Sequence, residues 1–341
     1  MKKLRVLVLM HHYLVPPDDV TGRDVTTAEW RTEYDVMKTL RDDLEHDVHV
    51  LGVKDDLAGI RQANDEFKPH IAFNLLEAFH EIGTFDQNVV SYLELLRLPY
   101  SGCNPRGMLL ARDKSLSKKL LQYHRIPVPD FAMVARGRKP RLSKHAVFPL
   151  IVKSLTQEAS IGISQASVVD NDDKLKERVA FIHDSIGTAA IVEQYIEGRE
   201  LYVGILGNQA LQAMPVWELF FTNMPEGAKR IATDRVKWSV KYQKKYGIDS
   251  GIAKDLPEGL AEKIQHLCKR AYRALELSGY ARIDLRLDQA GNPWVIEANP
   301  NPQIAKGEDF AASADKAGIG YESLLQRIVN LGLRWQPESF A

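Results

Sequence analysis

The stretch Tyr280–Pro302, YARIDLRLDQAGNPWVIEANPNP, decides how the rest of the chain is read. Ala281, Ile283, Leu285 and Leu287 alternate with Arg282, Asp284, Arg286 and Asp288, the period of two of a strand. Gln289–Asn292, with Gly291-Asn292 as its flexible pair, predicts a turn. The return strand alternates Trp294, Ile296 and Ala298 against Val295, Glu297 and Asn299. Folding about residue 290 sets Asp284 nearly opposite Glu297. Two opposed carboxylates repel and weaken the pairing unless a cation sits between them. Asp284, Glu297 and the Asn299 amide oxygen are hard donors suited to Mg²⁺. A solvated polar face on an ordinary hairpin is the plain alternative, against which three oxygen donors and Arg282 converge on one face.

Working outward, the composition excludes several function classes. The chain has 341 residues, 45% apolar and 26% charged, enough for two or three packed units. Formal net charge is zero, which gives no electrostatic case for nucleic acid or an anionic membrane. The two cysteines, Cys103 and Cys268, have no metal or redox spacing and read as buried thiols in a reducing cytoplasm. The opening MKKLRVLVLM has too short an apolar run for a signal peptide and reads as a first buried strand. No apolar stretch is long enough to span a bilayer.

The first hundred residues alternate strands and helices. Strands are predicted at 4–10, 48–53 and 71–76. Thr26-Thr27-Ala28-Glu29 predicts a capping box opening a first helix, and further helices are expected at 56–68 and 86–97. This pattern predicts a parallel, doubly wound sheet. No G-x-G-x-x-G follows the first strand, and no P-loop occurs. From about residue 108 the pattern changes. A helix at 109–123 carries Lys114, Lys118 and Lys119, and strands follow at 131–134 and 150–153. A helix at 171–184 and a strand at 190–193 come next. Short strands at 200–206 and 210–217 precede a long Lys- and Tyr-rich segment, 222–255. An amphipathic helix, 260–277, leads into the hairpin, and a last helix is expected near 321–333.

Lys153 ends an apolar strand and is followed by the small-residue loop Ser154–Ser160. A lysine beside exposed backbone N–H groups binds phosphate; a strand-end lysine reaching solvent is equally compatible with the residues alone. Arg282-Ile283-Asp284 with Val295–Asn299 and the Pro-rich exit resembles the final motif of ATP-grasp enzymes, in the form carried by D-alanine–D-alanine ligases. Phe148–Ile163, Ala111–Lys114, Val192–Glu200 and Arg235–Lys237 resemble four further motifs of that family, in the right order. The resemblance implies an α/β, three-domain ATP-grasp fold. Its units would be an N-terminal Rossmann-like domain at 1–108, a central subdomain at 109–193 and a C-terminal subdomain at 194–341 carrying the metal site.

It also implies an ATP-dependent, ADP-forming carboxylate–amine ligase working through an acyl phosphate. The alternatives are an ATP-grasp kinase and a non-catalytic nucleotide-binding regulator. In family terms Lys114, Lys153 and Lys237 contact phosphates, and Ser160 closes over them. Glu193, Gln194, Tyr195 and Ile196 form the adenine hinge, and Glu200 accepts from ribose. Asp284, Glu297 and Asn299 hold two Mg²⁺ ions, with Mn²⁺ as a substitute, and Arg282 stabilises the oxyanion. The partners are a small-molecule carboxylate and an amine, a homodimer is expected by analogy, and the location is cytoplasmic. Glu33 matches the family's substrate Glu, although an exposed helix residue is an equal alternative. The family's Ser and Tyr partners of that Glu fall at Ala159 and Trp238. Gln303 follows the Asn-x-x-Pro turn where the family has Gly. Glu308 and Asp309 fall where it has a carboxylate-binding Ser. The expected nucleophile is therefore an amine that is cationic or lacks a carboxylate, with an amino acid or small peptide as carboxylate partner.

Overall fold

Residues 5–11, RVLVLMH, form β1 (Arg5–His11), whose five central side chains are all buried. The computed structural model describes residues 2–142 and 146–337. Met1, residues 143–145 of the expected central unit and residues 338–341 of the expected C-terminal unit lie outside the described residues. Strand β1 pairs in parallel with β2 (Asp47–Val53) and β3 (Ile71–Asn74), in the order β2-β1-β3. Helices α1 (Arg31–Lys38), α2 (Ala58–Phe67) and α3 (Asp86–Leu95) alternate with these strands, so the doubly wound expectation holds. The expected capping box does not form. Asp24 caps a single turn at Val25–Thr27 instead, accepting from Thr26 N–H at 3.0 Å, and α1 begins only at Arg31.

The helix expected at 109–123 is two helices. Asn104 caps α4 (Pro105–Arg112), and Asp113 caps α5 (Lys114–Tyr123) by accepting from Ser115 and Leu116 N–H, both at 2.9 Å. The extended Asp113 backbone breaks the helical run and turns Lys114 and Lys118 inward. A four-stranded antiparallel sheet follows, made of β4 (Phe131–Val134), β5 (Leu150–Ser154), β6 (Val168–Val169) and β7 (Ala190–Gln194) in the order β4-β7-β5-β6. Helix α6 (Asp172–Phe181) covers it through Leu175 and Val179.

The third sheet is antiparallel and the largest. It comprises β8 (Gly198–Leu206), β9 (Gln212–Ala213), β10 (Trp217–Phe221), β11 (Ile248–Ile252), β12 (Tyr280–Asp288) and β13 (Pro293–Pro300). The order is β11-β10-β8-β12-β13, with β9 on β8. Segment 222–255, expected without internal structure, contains α7 (Asp234–Trp238), α8 (Val240–Tyr246) and β11, the two helices being capped by Thr233 and Ser239. Helix α9 (Leu260–Ala274) backs the sheet. After β13 come α10 (Asp309–Lys316), which the sequence pattern did not suggest, and α11 (Tyr321–Arg334). Leu324, Leu325 and Ile328 of α11 pack into one core with Val6, Val8, Ile71 and Phe73 of the first sheet.

Strand β12 lies between β8 and β13, so the hairpin closes one edge of the sheet with β12 as its inner strand. Asp284 pairs with Glu297 and Arg282 with Asn299, the expected register. Strict alternation fails on the return strand. Leu285 pairs with Val295, leaving Ile296 as an extra residue in a bulge. The bulge sends Val295 into the core while Glu297 and Asn299 keep the polar face.

Candidate active site

Two next-but-one rungs of the β12–β13 ladder, which share one face, form the centre. Arg282 Nε and Nη2 donate to Asp284 Oδ1 and Oδ2 at 2.7 and 2.9 Å, a bidentate pair. The guanidinium also lies 4.7 Å from the Tyr202 ring centroid. Among the described residues this leaves Arg282 Nη1 as the free arm of a fixed fork. Glu297 stands opposite, with Lys114 Nζ 3.6 Å from its Oε2. Burial opposes its charge, but Lys114, Lys153, Lys237 and Arg282 outweigh burial and hold its carboxyl down at about 2.

The Asp284–Glu297 rung faces a cavity between the second and third sheets, which is also lined by Lys153, Ser160, Glu193–Ile196, Glu200 and Lys237. Lys153 Nζ donates to Glu193 Oε2 at 2.9 Å, and Lys118 Nζ lies 3.2 Å from Glu193 Oε1. Lys118 and Glu193 are each only 1% exposed. Burial works against the Glu193 charge, and the two lysines more than offset it, keeping the carboxylate below its ordinary range. Lys118 also donates to the Ile296 carbonyl of the bulge at 2.8 Å, which ties α5 to the hairpin. Lys114 Nζ donates to the Gln157 carbonyl at 2.7 Å. Ser160 sits in the left-handed region at φ 62°, and its hydroxyl donates to the Ala232 carbonyl at 2.7 Å. Gln165 and Lys229 exchange two further bonds, so the loop after β5 is joined to the segment before α7.

Lys118 and Arg286 escaped the sequence reading. Arg286 donates to the carbonyls of Ile196, Gly198 and Arg230 at 3.1, 2.9 and 2.7 Å and to Glu200 Oε2 at 3.0 Å. The available signal was its position two residues beyond Asp284, on the same strand face. Lys118 lies four residues after Lys114, one helical turn away, and so shares its face.

The Arg282–Asn299 rung faces a second, larger cavity between the first and third sheets. Glu33, Trp238, Gln303, Glu308 and Asp309 all line it, so every residue expected to touch substrate is in one place. Among the described residues Lys237 alone lines both cavities. Trp238 Nε1 donates to the Ala159 carbonyl at 3.3 Å, so the two positions lacking the family's hydroxyls meet directly. Glu308 pairs with Arg31 at 3.1 Å. Asp309, the first residue of α10, accepts from Trp217 Nε1 at 3.1 Å and Ser250 Oγ at 2.5 Å.

Glu33 is 5% exposed, and its Oε2 has no hydrogen-bond partner among the described residues. Burial, with a smaller contribution from Glu77, pushes its carboxyl from 4.5 up to about 7. The folded state therefore holds a proton that the unfolded chain releases above about pH 4.5, and stability falls as pH rises from there through 7. Glu33→Gln should flatten this slope and raise stability at pH 8 by on the order of 2–3 kcal/mol. Urea unfolding at pH 5 and pH 8 measures it; equal slopes for the two proteins would show that Glu33 ionises without penalty.

A family model described as "D-ala D-ala ligase C-terminus" matches residues 120–330. A D-alanine–D-alanine ligase of Desulfotalea psychrophila is 34% identical over 278 residues, covering 80% of this chain and 81% of that protein. The chain belongs to the D-alanine–D-alanine ligase family. The family also accounts for the fold. A Bacillus anthracis D-alanine–D-alanine ligase structure, complexed with ATP, superposes with a TM-score of 0.72 at 24% identity, covering 97% of this chain and 98% of that one. A Sinorhizobium fredii protein named y4sG, of uncharacterized function, is 30% identical over 264 residues, covering 77% of this chain and 75% of its own length. The chain is thus an ATP-grasp, ATP-dependent carboxylate–amine ligase that forms C–N bonds. ATP use follows from membership of this family. No helix among the described residues is long and apolar enough to cross a membrane.

Proposed function

We propose that the ligase joins an amino acid or small peptide, through its carboxylate, to an amine that is cationic or lacks a carboxylate. ATP occupies the cavity of Lys153 and Glu193–Ile196, and the two organic substrates occupy the cavity of Glu33 and Asp309. The observation that carries this placement is the ladder itself. Two rungs on the same face of one strand pair, with a single rung between them, face the two cavities, and Lys237 spans both. A γ-phosphoryl group and a carboxylate brought in from opposite sides meet there.

In this reading Lys114, Lys153 and Lys237 neutralise phosphate oxygens, and Ser160 with its neighbouring amides closes over them. Gln194, Tyr195 and Ile196 border the adenine, with Glu200 beside the ribose. Lys118 and Lys153 compensate the Glu193 charge. The substrate carboxylate oxygen bonds to the γ-phosphorus as the bond to ADP breaks. The amine nitrogen then bonds to the acyl carbon, and phosphate leaves. The free arm of Arg282 stabilises the oxyanion of that second step. Loop 154–160 and segment 222–255 exclude water that would hydrolyse the acyl phosphate.

Asp284, Glu297 and Asn299 fit Mg²⁺. They are hard oxygen donors on one face of the ladder, with Asp284 directly opposite Glu297 and Asn299 two residues further along the return strand. Two ions held there, Mg²⁺ or Mn²⁺, would supply charge for the transferring phosphoryl group. The division into units at 108/109 and 193/194, a cytoplasmic location and a homodimer belong to the same reading, supported by one sheet for each unit and by family analogy, although 108/109 falls inside α4 and 193/194 before the last residue of β7.

Glu308 and Asp309 at the start of α10 support the choice of amine. A free α-carboxylate arriving there meets two carboxylates, only one of which is paired with an arginine. In an ADP-release assay, diamines and uncharged amines should exceed D-alanine as nucleophile. Glu308→Ser with Asp309→Ser should shift that preference toward D-alanine on the order of tenfold. The reading fails if D-alanine with D-alanine is the best pair in the unaltered enzyme.

A further inference from the structure

Asn74 has no part in the reaction as derived above, yet it is built like a ligand residue. It is the last residue of β3 in the first sheet and is 2% exposed. The carboxyl ends of parallel strands are where open α/β sheets receive ligands. Its backbone N–H donates to Ser101 Oγ at 2.9 Å, and its Oδ1 accepts from Leu76 N–H at 3.2 Å. An N–H donor opposite Oδ1 fixes which end of the amide is oxygen. Nδ2 is therefore the other end, and it has no partner among the described residues. Asn74 lines the larger cavity together with Glu33 and Asn299. Of the buried side-chain atoms without partners among the described residues, three, Glu33 Oε2, Asn74 Nδ2 and Asn299 Nδ2, belong to residues that line this one space. Buried polar atoms are otherwise almost always paired, so orphans gathered around one cavity mark partners supplied by a ligand.

The three orphans differ in kind. Glu33 Oε2 accepts, and Glu77 adds a second carboxylate to the same wall. Asn74 Nδ2 donates. An ammonium satisfies Glu33 but offers nothing to Asn74, because an ammonium only donates. A simple amino acid such as alanine carries one ammonium and the reacting carboxylate, which Arg282 and Asn299 receive. It leaves Asn74 unmet.

We infer that Asn74 is a specificity-determining residue, which donates to an oxygen acceptor on the carboxylate substrate close to that substrate's ammonium group. This inference rests on the placement of the carboxylate substrate under Proposed function and narrows it to a class. The acceptor is either the first carbonyl of a peptide or a side-chain hydroxyl or amide oxygen. Both present the same chemistry to Nδ2.

Trapping the acyl phosphate with hydroxylamine tests the donor side alone, because the hydroxamate forms whatever the natural amine is. With ATP, Mg²⁺ and hydroxylamine, the full-length enzyme is offered alanine, serine, asparagine and alanyl-alanine, each in D and L forms. The expected result is that an acceptor-bearing donor exceeds alanine in kcat/KM. Serine and asparagine against alanyl-alanine separates a side-chain oxygen from a peptide carbonyl. Asn74→Ala should lower the ratio of the preferred donor to alanine by roughly tenfold to a hundredfold. Asn74→Asp, close in shape and able to fold, should lower it as well, since the donor becomes an acceptor. If alanine is the best donor, or both variants slow all donors alike and leave the ratio fixed, Asn74 serves the fold and the inference is wrong while the donor placement stands. If no donor yields hydroxamate although a non-hydrolysable ATP analogue binds by calorimetry, the donor placement falls and takes the inference with it.

Discussion

Glu297→Gln should lower turnover on the order of a thousandfold in a protein that still folds. The side chain keeps its volume and its place on the ladder opposite Asp284. What it loses is a negative charge that survives far below neutral pH, held near 2 by four cations against the pull of burial. Three of those cations, Lys114, Lys153 and Lys237, are the groups proposed to meet phosphate, and the fourth, Arg282, is proposed to stabilise the oxyanion. Glu297 organises them before ATP arrives and, in the proposed reading, would also be a metal ligand. Removing one preorganised charge from such a centre typically costs 10²–10³ in rate, and Glu297 combines two such roles. ADP release at saturating ATP and amine measures the loss, with circular dichroism as the check on folding. Turnover close to that of the unaltered enzyme would remove Glu297 from the site.

Arg286→Met should lower stability by about 3–5 kcal/mol, the usual cost of removing one partner of a buried ion pair. The guanidinium satisfies three backbone carbonyls and Glu200 at once, and its side chain is 7% exposed. Methionine fills much of the space but pairs with none of the four acceptors. Arg286→Lys should recover only part of the loss, because a single ammonium cannot reproduce the fork. Urea unfolding gives the value, and a change under 1 kcal/mol would mean that water readily replaces the guanidinium. The Ile196 and Gly198 carbonyls lie in the segment proposed to border adenine. A weaker ATP-analogue affinity should therefore accompany the loss of stability.

The hairpin was legible because period-two alternation, a Gly-Asn turn and a carboxylate on each strand coincide within 23 residues. The bulge at Ile296 was not, because alternation alone shows no flag where one residue leaves the ladder. Had strict alternation held, Val295 would share the face of Glu297. The break inside 109–123 was readable in principle from Asp113, a capping residue set in an apolar-periodic run. The amphipathic pattern continued across it and concealed it. Thr233 and Ser239 gave the same kind of signal within 222–255, where the lysines and tyrosines suggested only a polar segment. Lys118 and Arg286 were hidden by their chemistry. A lysine on an amphipathic helix and an arginine on an alternating strand usually point to water, and only the three-dimensional meeting with Glu193 and Glu200 reveals otherwise. Asn74 was out of reach, since a buried asparagine is distinguished only by the bonds it does not make.

The last helix has a consequence for the order in which the molecule can be completed. Leu324, Leu325 and Ile328 cover Val6, Val8, Ile71 and Phe73, residues made some 250–320 positions earlier. During synthesis the first sheet emerges long before its cover. One of its faces is finished only when α11 has left the ribosome. For most of that interval the nascent protein presents an apolar sheet face to its surroundings, so a chaperone able to hold it has its greatest opportunity before residue 334 emerges. The N-terminal and C-terminal thirds of the chain thus mature together, as a single late event.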